Sequence, residues 1–287
     1  MKIYRSARYL PSRISTSRCD MTNNSNGNYD QEFIAQNYDA FYDRLHRRDV
    51  DFYVDCSREA KGRTLELGCG TGRVLIPTAI AGCRITGLDF AVQMLQVCRE
   101  KLNRQNPEVQ SRVQLIQGDM TNFDLREKYR LITIPFRPFQ HLINVPEQKA
   151  CLNNVHRHLT DDGLLVFDIF HPSLPRLTDT KYLMEMDVEP EMELPDGRII
   201  RRTNRTAGFH PVEQYNDIEL IHYIRYPDGR QERRVHAFPM RYFFRAEMEH
   251  LLALCGFEIV NFFGNFDKTP FTADSPEMIF IAKKAAS

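Results

Sequence analysis

The sequence predicts an α/β fold built around a mostly parallel β-sheet. Three observations support this prediction. An apolar strand runs into alternating glycines and then into a helical pattern. Two further strands each end in an acidic residue, and strand and helix patterns alternate over most of the chain. Alternation of this kind is typical of sheets whose strands are connected by crossover helices.

The glycine-rich segment is the most informative part of the chain. The strand 65–67 leads into Gly68, Gly70 and Gly72, and a helix is predicted over 73–81. Glycines permit a tight turn and let a ligand approach the backbone closely, and the helix N-terminus offers unpaired N–H groups. This entry is typical of a nucleotide-binding Rossmann-like domain. We interpret Cys69 as a small residue that fills tight space, not as a nucleophile.

Acidic residues follow the next two predicted strands. The strand 84–88 ends at Asp89, and a carboxylate in this position can accept hydrogen bonds from ribose hydroxyls. The strand 112–116 is followed by Gly118, Asp119 and Met120. There the acid can accept from an adenine amino group, and the methionine can cover the ring.

In this order and spacing, the loop and the two acids resemble the class I S-adenosylmethionine-dependent methyltransferases, from about residue 29 to the C-terminus. The resemblance implies a seven-stranded Rossmann-like sheet, mostly parallel with the last strand antiparallel. It also implies S-adenosyl-L-methionine as the cofactor and a leading helix that closes over it. The predicted cofactor-binding residues are Tyr38, Glu66, Gly68, Cys69, Gly70, Gly72, Arg73, Asp89, Phe90, Met94, Gly118, Asp119, Met120 and Pro135.

Four segments are predicted. Residues 1–28 are arginine- and serine-rich, and we favour a disordered tail over a transit peptide, with Met21 as a third candidate for the start. Residues 29–170 form the core with its N-terminal helices, in which Tyr38 and Tyr42 are the side chains expected to reach the cofactor. Residues 171–242 form an antiparallel insertion, either a lid or oligomer contact or a plain solvated sheet. Residues 243–287 complete the core.

The individual elements follow from hydrophobic periodicity and turn residues. Two Pro-Asp-Gly turns, at 195–197 and 227–229, separate the strands of the insertion. A glycine at 256 is expected to cap the last helix. Besides the segments already given, helices are predicted at 29–55 (a pair), 91–104, 147–159 and 245–255, and strands at 129–134, 163–170, 198–206, 215–226, 231–243, 257–263 and 277–283.

The composition argues against several classes of protein, namely those that bind nucleic acid, membranes or metal ions. The 287 residues carry 38 basic and 38 acidic side chains, so no overall attraction to nucleic acid or to an anionic membrane is expected. No apolar run approaches the roughly 20 residues of a spanning helix. The seven cysteines form no C-x-x-C pair, and the histidines have no ligand-like spacing. We therefore expect a reduced, cytoplasmic protein without a metal site.

The acceptor is expected beyond the fourth strand, because ligands bind at the C-terminal ends of parallel strands. Base methyltransferases carry Asp/Asn-Pro-Pro-Tyr/Phe there, whereas this chain has Ile134 and a single following proline. The segment 136–142 instead resembles small-molecule methyltransferases of bacterial metabolism. His141 is the candidate base and Arg137 a candidate partner for an acceptor anion, although either could be structural. Asp168 and His171 are further candidates at the pocket mouth.

The predicted function is methyl transfer to nitrogen or oxygen of a small-molecule acceptor. An RNA or protein methyltransferase is the alternative, supported by basic clusters at 201–205 and 230–234. A non-catalytic partner subunit is a further alternative, and an NAD-dependent reductase would need the longer glycine spacing. Nucleic acid and membrane are not expected partners, and the insertion could mediate a homodimer.

Overall fold

The computed structural model of the protein describes residues 25–42 and 48–286. The predicted tail over 1–28 lies almost entirely outside the described residues. The first described helix begins at Ser25, within the last residues of that segment.

The predicted α/β fold is confirmed by a seven-stranded sheet. Its strands are β1 Thr64–Leu67, β2 Ile85–Asp89, β3 Val113–Gln117, β4 Tyr129–Ile134, β5 Leu159–Phe170, β11 Phe257–Phe263 and β12 Glu277–Lys284. They lie in the order β11-β12-β5-β4-β1-β2-β3. Strands β1 to β5 are mutually parallel, whereas β12 runs antiparallel to both of its neighbours, β5 and β11. The last strand is therefore the antiparallel one.

The central strands are buried because helices cover both faces of the sheet. All four residues of β1 are buried, and Leu65 and Leu67 belong to a large core cluster with Phe139, Phe167 and Phe280. The helices are α1 Ser25–Tyr42, α2 Asp49–Ala60, α3 Leu75–Ile80, α4 Val92–Asn103, α5 Pro107–Ser111, α6 Val145–His158, α7 Leu174–Thr178 and α8 Arg245–Leu254. The predicted glycine cap of α8 has the left-handed backbone (φ +80° at Gly256) that this position requires.

A second, antiparallel sheet lies in the predicted insertion. Its strands are β6 Met186–Asp187, β7 Met192–Glu193, β8 Ile199–His210, β9 Tyr215–Arg225 and β10 Gln231–Arg241. They lie in the order β10-β9-β8-β6, and β7 also pairs with β8. The two Pro-Asp-Gly turns flank these strands, and Gly197 and Gly229 adopt the positive φ that such turns demand.

Helix α1 joins the two sheets. Its residues Phe33, Ile34 and Phe41 pack in one buried cluster with Ile200 and Ile224 of the antiparallel sheet. Helix α1 also contacts α4 of the core, whose Met94 packs against the same cluster. The antiparallel sheet is thereby held over the C-terminal edge of the parallel strands, where a ligand site is expected.

Candidate active site

A cavity of about 650 Å³ opens between the C-terminal edge of the parallel sheet, α1 and the antiparallel sheet. A smaller cleft of about 50 Å³ adjoins it beneath the glycine loop and shares Tyr38, Gly68 and Gly70 with it. Among the predicted site residues, the cavity is lined by Tyr38, Gly68, Gly70, Asp89, Phe90, Met94, Gly118, Asp119, Met120, Arg137 and His141, and the cleft also by Glu66, Cys69, Arg73 and Pro135.

The three loop glycines all have left-handed backbones but serve different purposes. A Cβ on Gly68 would lie 2.7 Å from Pro138, and one on Gly72 would lie 2.6 Å from the Sγ of Cys98. A Cβ on Gly70 would meet nothing within 4 Å. Gly70 therefore exposes bare backbone to the cavity. Gly72 packs against Cys98 of α4 and lines neither space, so its contact with the cofactor stays a prediction.

Asp89, at the end of β2, is hydrogen-bonded to the backbone of the glycine loop. Its Oδ2 accepts from the N–H of Gly70 at 2.7 Å, and its Oδ1 accepts from the N–H of Ala91 at 2.8 Å. Burial raises the pKa of Asp89, and these two hydrogen bonds partly oppose the rise. Each oxygen retains a lone pair that can accept from a ligand hydroxyl.

Glu66 lies at the C-terminal end of β1, below the loop. Its side chain is 2% exposed, and its Oε2 has no hydrogen-bond partner among the described residues. Burial raises the pKa of Glu66 to about 8, and the nearby Asp89 adds to the effect. A buried carboxyl without a partner is costly for the fold. A cation bound in the cleft would favour the ionised form of this carboxyl and lower its pKa again.

Two further side chains line the cleft: Arg73, which already has partners within the protein, and Cys69, whose thiol is neutral. The guanidinium of Arg73 makes two hydrogen bonds to the buried Asp49, at 2.5 and 3.1 Å, and its Cζ lies 4.6 Å from the Phe136 ring centre. Burial raises the pKa of the Cys69 thiol well above its usual range. The thiol therefore stays protonated, as the interpretation of Cys69 as a packing residue requires.

Two further predicted residues form the opposite wall of the cavity. Asp119 is exposed, and its Oδ1 accepts from the N–H and the hydroxyl of Thr121 at 2.7 and 2.8 Å. Met120 is half-buried beside it. From the end of β2, Phe90 projects into solvent at the cavity rim with 69% of its surface exposed. An exposed aromatic ring at a cavity mouth suits stacking against a planar ligand.

Helix α1 forms the cover of the cavity. The hydroxyl of Thr71 in the glycine loop donates to Asp39 of α1 at 2.6 Å, and Lys101 of α4 forms an ion pair with the same carboxylate. The rings of Tyr38 and Tyr42 pack with their centres 4.5 Å apart and their planes tilted by 50°, and Tyr42 lies edge-on to Phe136 at 5.0 Å. The predicted pair of tyrosines is thus brought to the cavity by contacts that a single sequence does not reveal.

The loop after β4 has an unusual backbone, since Phe136 and Arg137 both have positive φ (66° and 74°). The N–H of Phe136 donates to Oδ1 of Asp168 at 2.7 Å, and the Tyr53 hydroxyl donates to the same atom at 2.7 Å. Asp168 is fully buried and lines neither space. The prediction that it faces the pocket mouth is therefore wrong: it holds this strained loop in place.

His171 does not lie at the pocket mouth either, although the sequence predicts it there. Its Nδ1 lies 2.9 Å from the carbonyl of Ser275, its ring packs on Phe271, and it does not line the cavity. Arg137 does line the cavity, but its Nη2 forms an ion pair of 2.5 Å with Glu277. That pairing leaves Arg137 less available to an acceptor anion than the sequence suggested.

His141 lies at the far end of the cavity, in a short 3-10 helix over Pro138–His141. Its ring is accessible from the cavity and packs 5.4 Å from Phe238 of β10. The protein on its other sides desolvates it, which lowers its pKa below the usual 6.5. A neutral imidazole in this position can accept a proton at physiological pH.

Sequence reasoning missed the contribution of the antiparallel sheet to this end of the cavity. Leu220, His222, His236, Phe238 and Met240 come from β9 and β10, and all line it. The only signal in the sequence was the alternation of residues along these strands. Of these side chains, Phe238 packs on His141, an arrangement set by the tertiary packing of the sheet on the core.

No group of His, Cys, Asp or Glu suited to a metal ion occurs within residues 25–42 and 48–286. In the same part of the chain, no helix is long and apolar enough to cross a membrane.

Comparison with known proteins independently supports a methyltransferase domain. Residues 64–163 match a family model described as a methyltransferase domain. A Bacillus subtilis protein named as a putative methyltransferase, YqeM, is 25% identical over 88% of this chain and 98% of its own length. The dTDP-3-amino-3,6-dideoxy-alpha-D-glucopyranose N,N-dimethyltransferase of Streptomyces fradiae is 28% identical over 47% of this chain and 52% of its own.

A solved structure has the same fold. The CcbJ methyltransferase of Streptomyces caelestis superposes with a TM-score of 0.71 and 24% identity, over 88% of this chain and 96% of that one. The fold and the glycine-loop site define an enzyme that binds a nucleoside-containing cofactor. Residues 64–163 are a methyltransferase domain, and the sheet around them has the fold of S-adenosylmethionine-dependent methyltransferases of known structure.

Proposed function

We propose that the protein transfers a methyl group to nitrogen or oxygen of a small-molecule acceptor held between the glycine loop and the antiparallel sheet. One observation supports this above all others: a single cavity runs from Gly70 and Asp89 to His141 and the sheet residue His236. A volume of about 650 Å³ has the size of a typical small-molecule site. The acceptor and the cofactor would therefore share one enclosed space.

The residues at the loop end fit the cofactor. Gly70 leaves an open surface where a side chain would otherwise stand, so the ligand can lie directly on the backbone. Asp89 presents two oxygens to paired ribose hydroxyls. The buried Oε2 of Glu66, which no described residue hydrogen-bonds, suits the ammonium group of the methionyl portion. We assign Asp119 to the adenine amino group and Met120, Phe90 and Met94 to the ring faces.

The remaining residues align and shield the reacting groups. When bound, S-adenosylmethionine supplies a methyl group activated by its sulfonium. Tyr38, Tyr42 and Phe136 exclude water from the middle of the cavity, where the two halves meet. The Tyr38 hydroxyl is desolvated, which raises its pKa and keeps it a hydrogen-bond donor.

His141 is proposed to receive the proton that the acceptor loses. A hydroxyl acceptor needs deprotonation near the transition state, whereas a neutral amine loses its proton readily after attack. Arg137, held by Glu277, is proposed to position the acceptor beside His141. The Streptomyces fradiae relative is named as an N,N-dimethyltransferase of a sugar nucleotide, which supports a small-molecule acceptor here.

We also propose a cellular compartment and an oligomeric state for the protein. The described cysteines at 56, 69, 83, 98, 151 and 255 are all unpaired thiols, which suits the reducing cytoplasm. A homodimer through the antiparallel sheet is retained as a prediction, to be checked by the mass of the protein in solution.

The proposal is tested by incubating the protein with methyl-labelled S-adenosylmethionine and a cell extract divided by size. We expect label in the fraction of small molecules and none in the RNA or protein fraction. Boiled protein and the Asp89→Ala variant serve as controls. Label confined to RNA or protein would replace the small-molecule acceptor with a macromolecular one.

A further inference from the structure

We propose that His222 and His236 form a subsite that holds an uncharged, hydroxyl-bearing acceptor and discriminates against a cationic one. The inference rests on the proposed function, because it names the class of acceptor that the far half of the cavity takes. It concerns residues of the antiparallel sheet alone.

The two histidines lie on one face of the sheet. In the antiparallel pairing of β9 with β10, His222 is opposite Arg234 and His236 is opposite Leu220. Directly opposed residues share a face, so the two imidazoles are diagonal neighbours on the face that covers the cavity. Phe238, two residues after His236, extends this face towards His141.

The ring nitrogens of His222 are buried and make no hydrogen bond to any described residue. Its side chain is 1% exposed, and neither Nδ1 nor Nε2 has a hydrogen-bond partner among the described residues. The ring stacks on Phe41 of α1 at 4.9 Å and lies edge-on to Phe33 at 5.6 Å. Because an unpartnered buried polar group is costly, a hydrogen bond from a ligand in the cavity would compensate it.

Burial, helped by neighbouring groups, keeps both imidazoles neutral. Arg202 and Arg234 lie directly opposite His222 on the two neighbouring strands, and both are buried. Burial, followed by Arg202, His236 and Arg234, lowers the pKa of His222 to about 3. Burial and the facing His141 lower the pKa of His236 to about 4. Each neutral imidazole has one donor and one acceptor, the complement of a hydroxyl group.

The described residues that line this half of the cavity carry no negative charge. The carboxylates of the described lining are Asp89 and Asp119, both at the loop end. The two arginines have their own carboxylate partners, Glu189 for Arg202 at 2.7 Å and Glu232 for Arg234 at 2.8 Å. A bound ammonium group would face neutral imidazoles and nearby guanidinium groups, and none of the described residues that line this half of the cavity offers a carboxylate to pair with it.

The test uses two probes of equal size, trans-cyclohexane-1,2-diol and trans-2-aminocyclohexanol. The second is protonated at pH 7, as alkyl amines are. Each is titrated into protein that carries isotope-labelled histidine and is loaded with S-adenosylhomocysteine, whose sulfur carries no charge. The ring signals of His222 and His236 are followed by NMR and assigned with the variants His222→Phe and His236→Asn.

We expect the diol to shift both signals at a concentration at least tenfold lower than the amino alcohol. His222→Phe keeps the stack on Phe41 but removes both nitrogens, so it should weaken diol binding at least fivefold with a melting temperature equal to or above that of the wild type. His210→Gln is the matched control, since His210 ends β8, pairs with Asp217 at 2.7 Å and does not line the cavity. This variant should bind the diol as the wild type does.

Three results would overturn the proposal: equal or tighter binding of the amino alcohol, no shift of either signal by the diol, or wild-type diol binding by a folded His222→Phe. Failure of the proposed function is distinguishable, because it would appear in the labelling assay as methyl transfer to RNA or protein only. The NMR titration instead reports whether the diol binds at the two histidines.

Discussion

The two halves of the cavity are built in different ways. The loop half consists largely of backbone: Gly70 and the N–H groups around Asp89 create the surface, and strand ends carry the acids. The far half consists of side chains from separate elements, with His141 after β4 and His236 on β10. Carboxylates occur only in the first half of the described lining, and imidazoles only in the second.

This difference separates cofactor binding from acceptor choice. A backbone cradle tolerates changes of the surrounding side chains, whereas a side-chain surface can be altered residue by residue. Substitutions in the loop half should therefore change cofactor affinity. Substitutions in the far half should change methyl transfer while leaving cofactor affinity intact.

The largest expected effect comes from His141→Ala in the far half. With a hydroxyl acceptor, loss of the base should lower the rate by about 10²–10⁴-fold, with cofactor affinity unchanged. Because burial lowers the pKa of His141, the wild-type rate should hold down to a pH below the ordinary 6.5 and fall only as the imidazole becomes protonated. The labelled methyl-transfer assay across pH measures both.

His250→Ala is the matched control, since His250 is exposed on α8 and does not line the cavity. Full activity of His141→Ala on the acceptor would move the proton-accepting group to another residue. A small effect that leaves the pH profile unchanged would indicate an amine acceptor.

The next effect is expected from Gly70→Ala in the loop half. The added methyl group would occupy the open surface at the cavity, so cofactor affinity should fall at least about 100-fold. Gly229→Ala is the control, because that glycine also has positive φ and open space where a Cβ would stand, yet lines neither the cavity nor the cleft. Both variants should lose similar stability through backbone strain. Equal cofactor affinity in the two variants would contradict the claim that the cofactor lies on the backbone at Gly70.

Asp89→Ala should have a smaller effect on the same half. Removing hydrogen bonds to a charged group costs about 1.5–3 kcal/mol, so cofactor affinity should fall roughly 10- to 150-fold. Calorimetry on Asp89→Ala and on the exposed Asp124→Ala measures this difference. An Asp89→Ala protein with wild-type affinity would remove the ribose assignment.

The smallest effect concerns stability and the buried Glu66. Its pKa in the folded protein, about 8, exceeds its ordinary 4.5, so the folded state retains a proton that the unfolded chain releases. The associated stabilisation is complete below about pH 4.5 and is lost as pH rises through 8. Glu66→Gln should therefore melt increasingly above the wild type between these pH values, while binding the cofactor less tightly. A melting difference that does not vary with pH would contradict the proposed protonation.

The same contrast explains what the sequence can predict. The loop, Asp89 and Asp119 are local motifs whose geometry follows from a strand, a turn and a helix, so the sequence locates them correctly at the cavity. The packing of Gly72 against α4 could not be predicted, because glycines at a turn can serve helix packing as well as ligand contact. Asp168 is misassigned because its partners, Phe136 and Tyr53, are distant in the sequence. The role of His222 and His236 gives no signal, since strand alternation does not reveal what faces the sheet.

The account depends most on the loop half being an S-adenosylmethionine site, and calorimetric titration of the wild-type protein tests this directly. We predict one molecule of S-adenosylmethionine bound per chain with a micromolar dissociation constant, corresponding to roughly −7 to −8 kcal/mol. NADH, titrated in parallel, should give no binding heat. Binding of NADH without binding of S-adenosylmethionine would contradict the account.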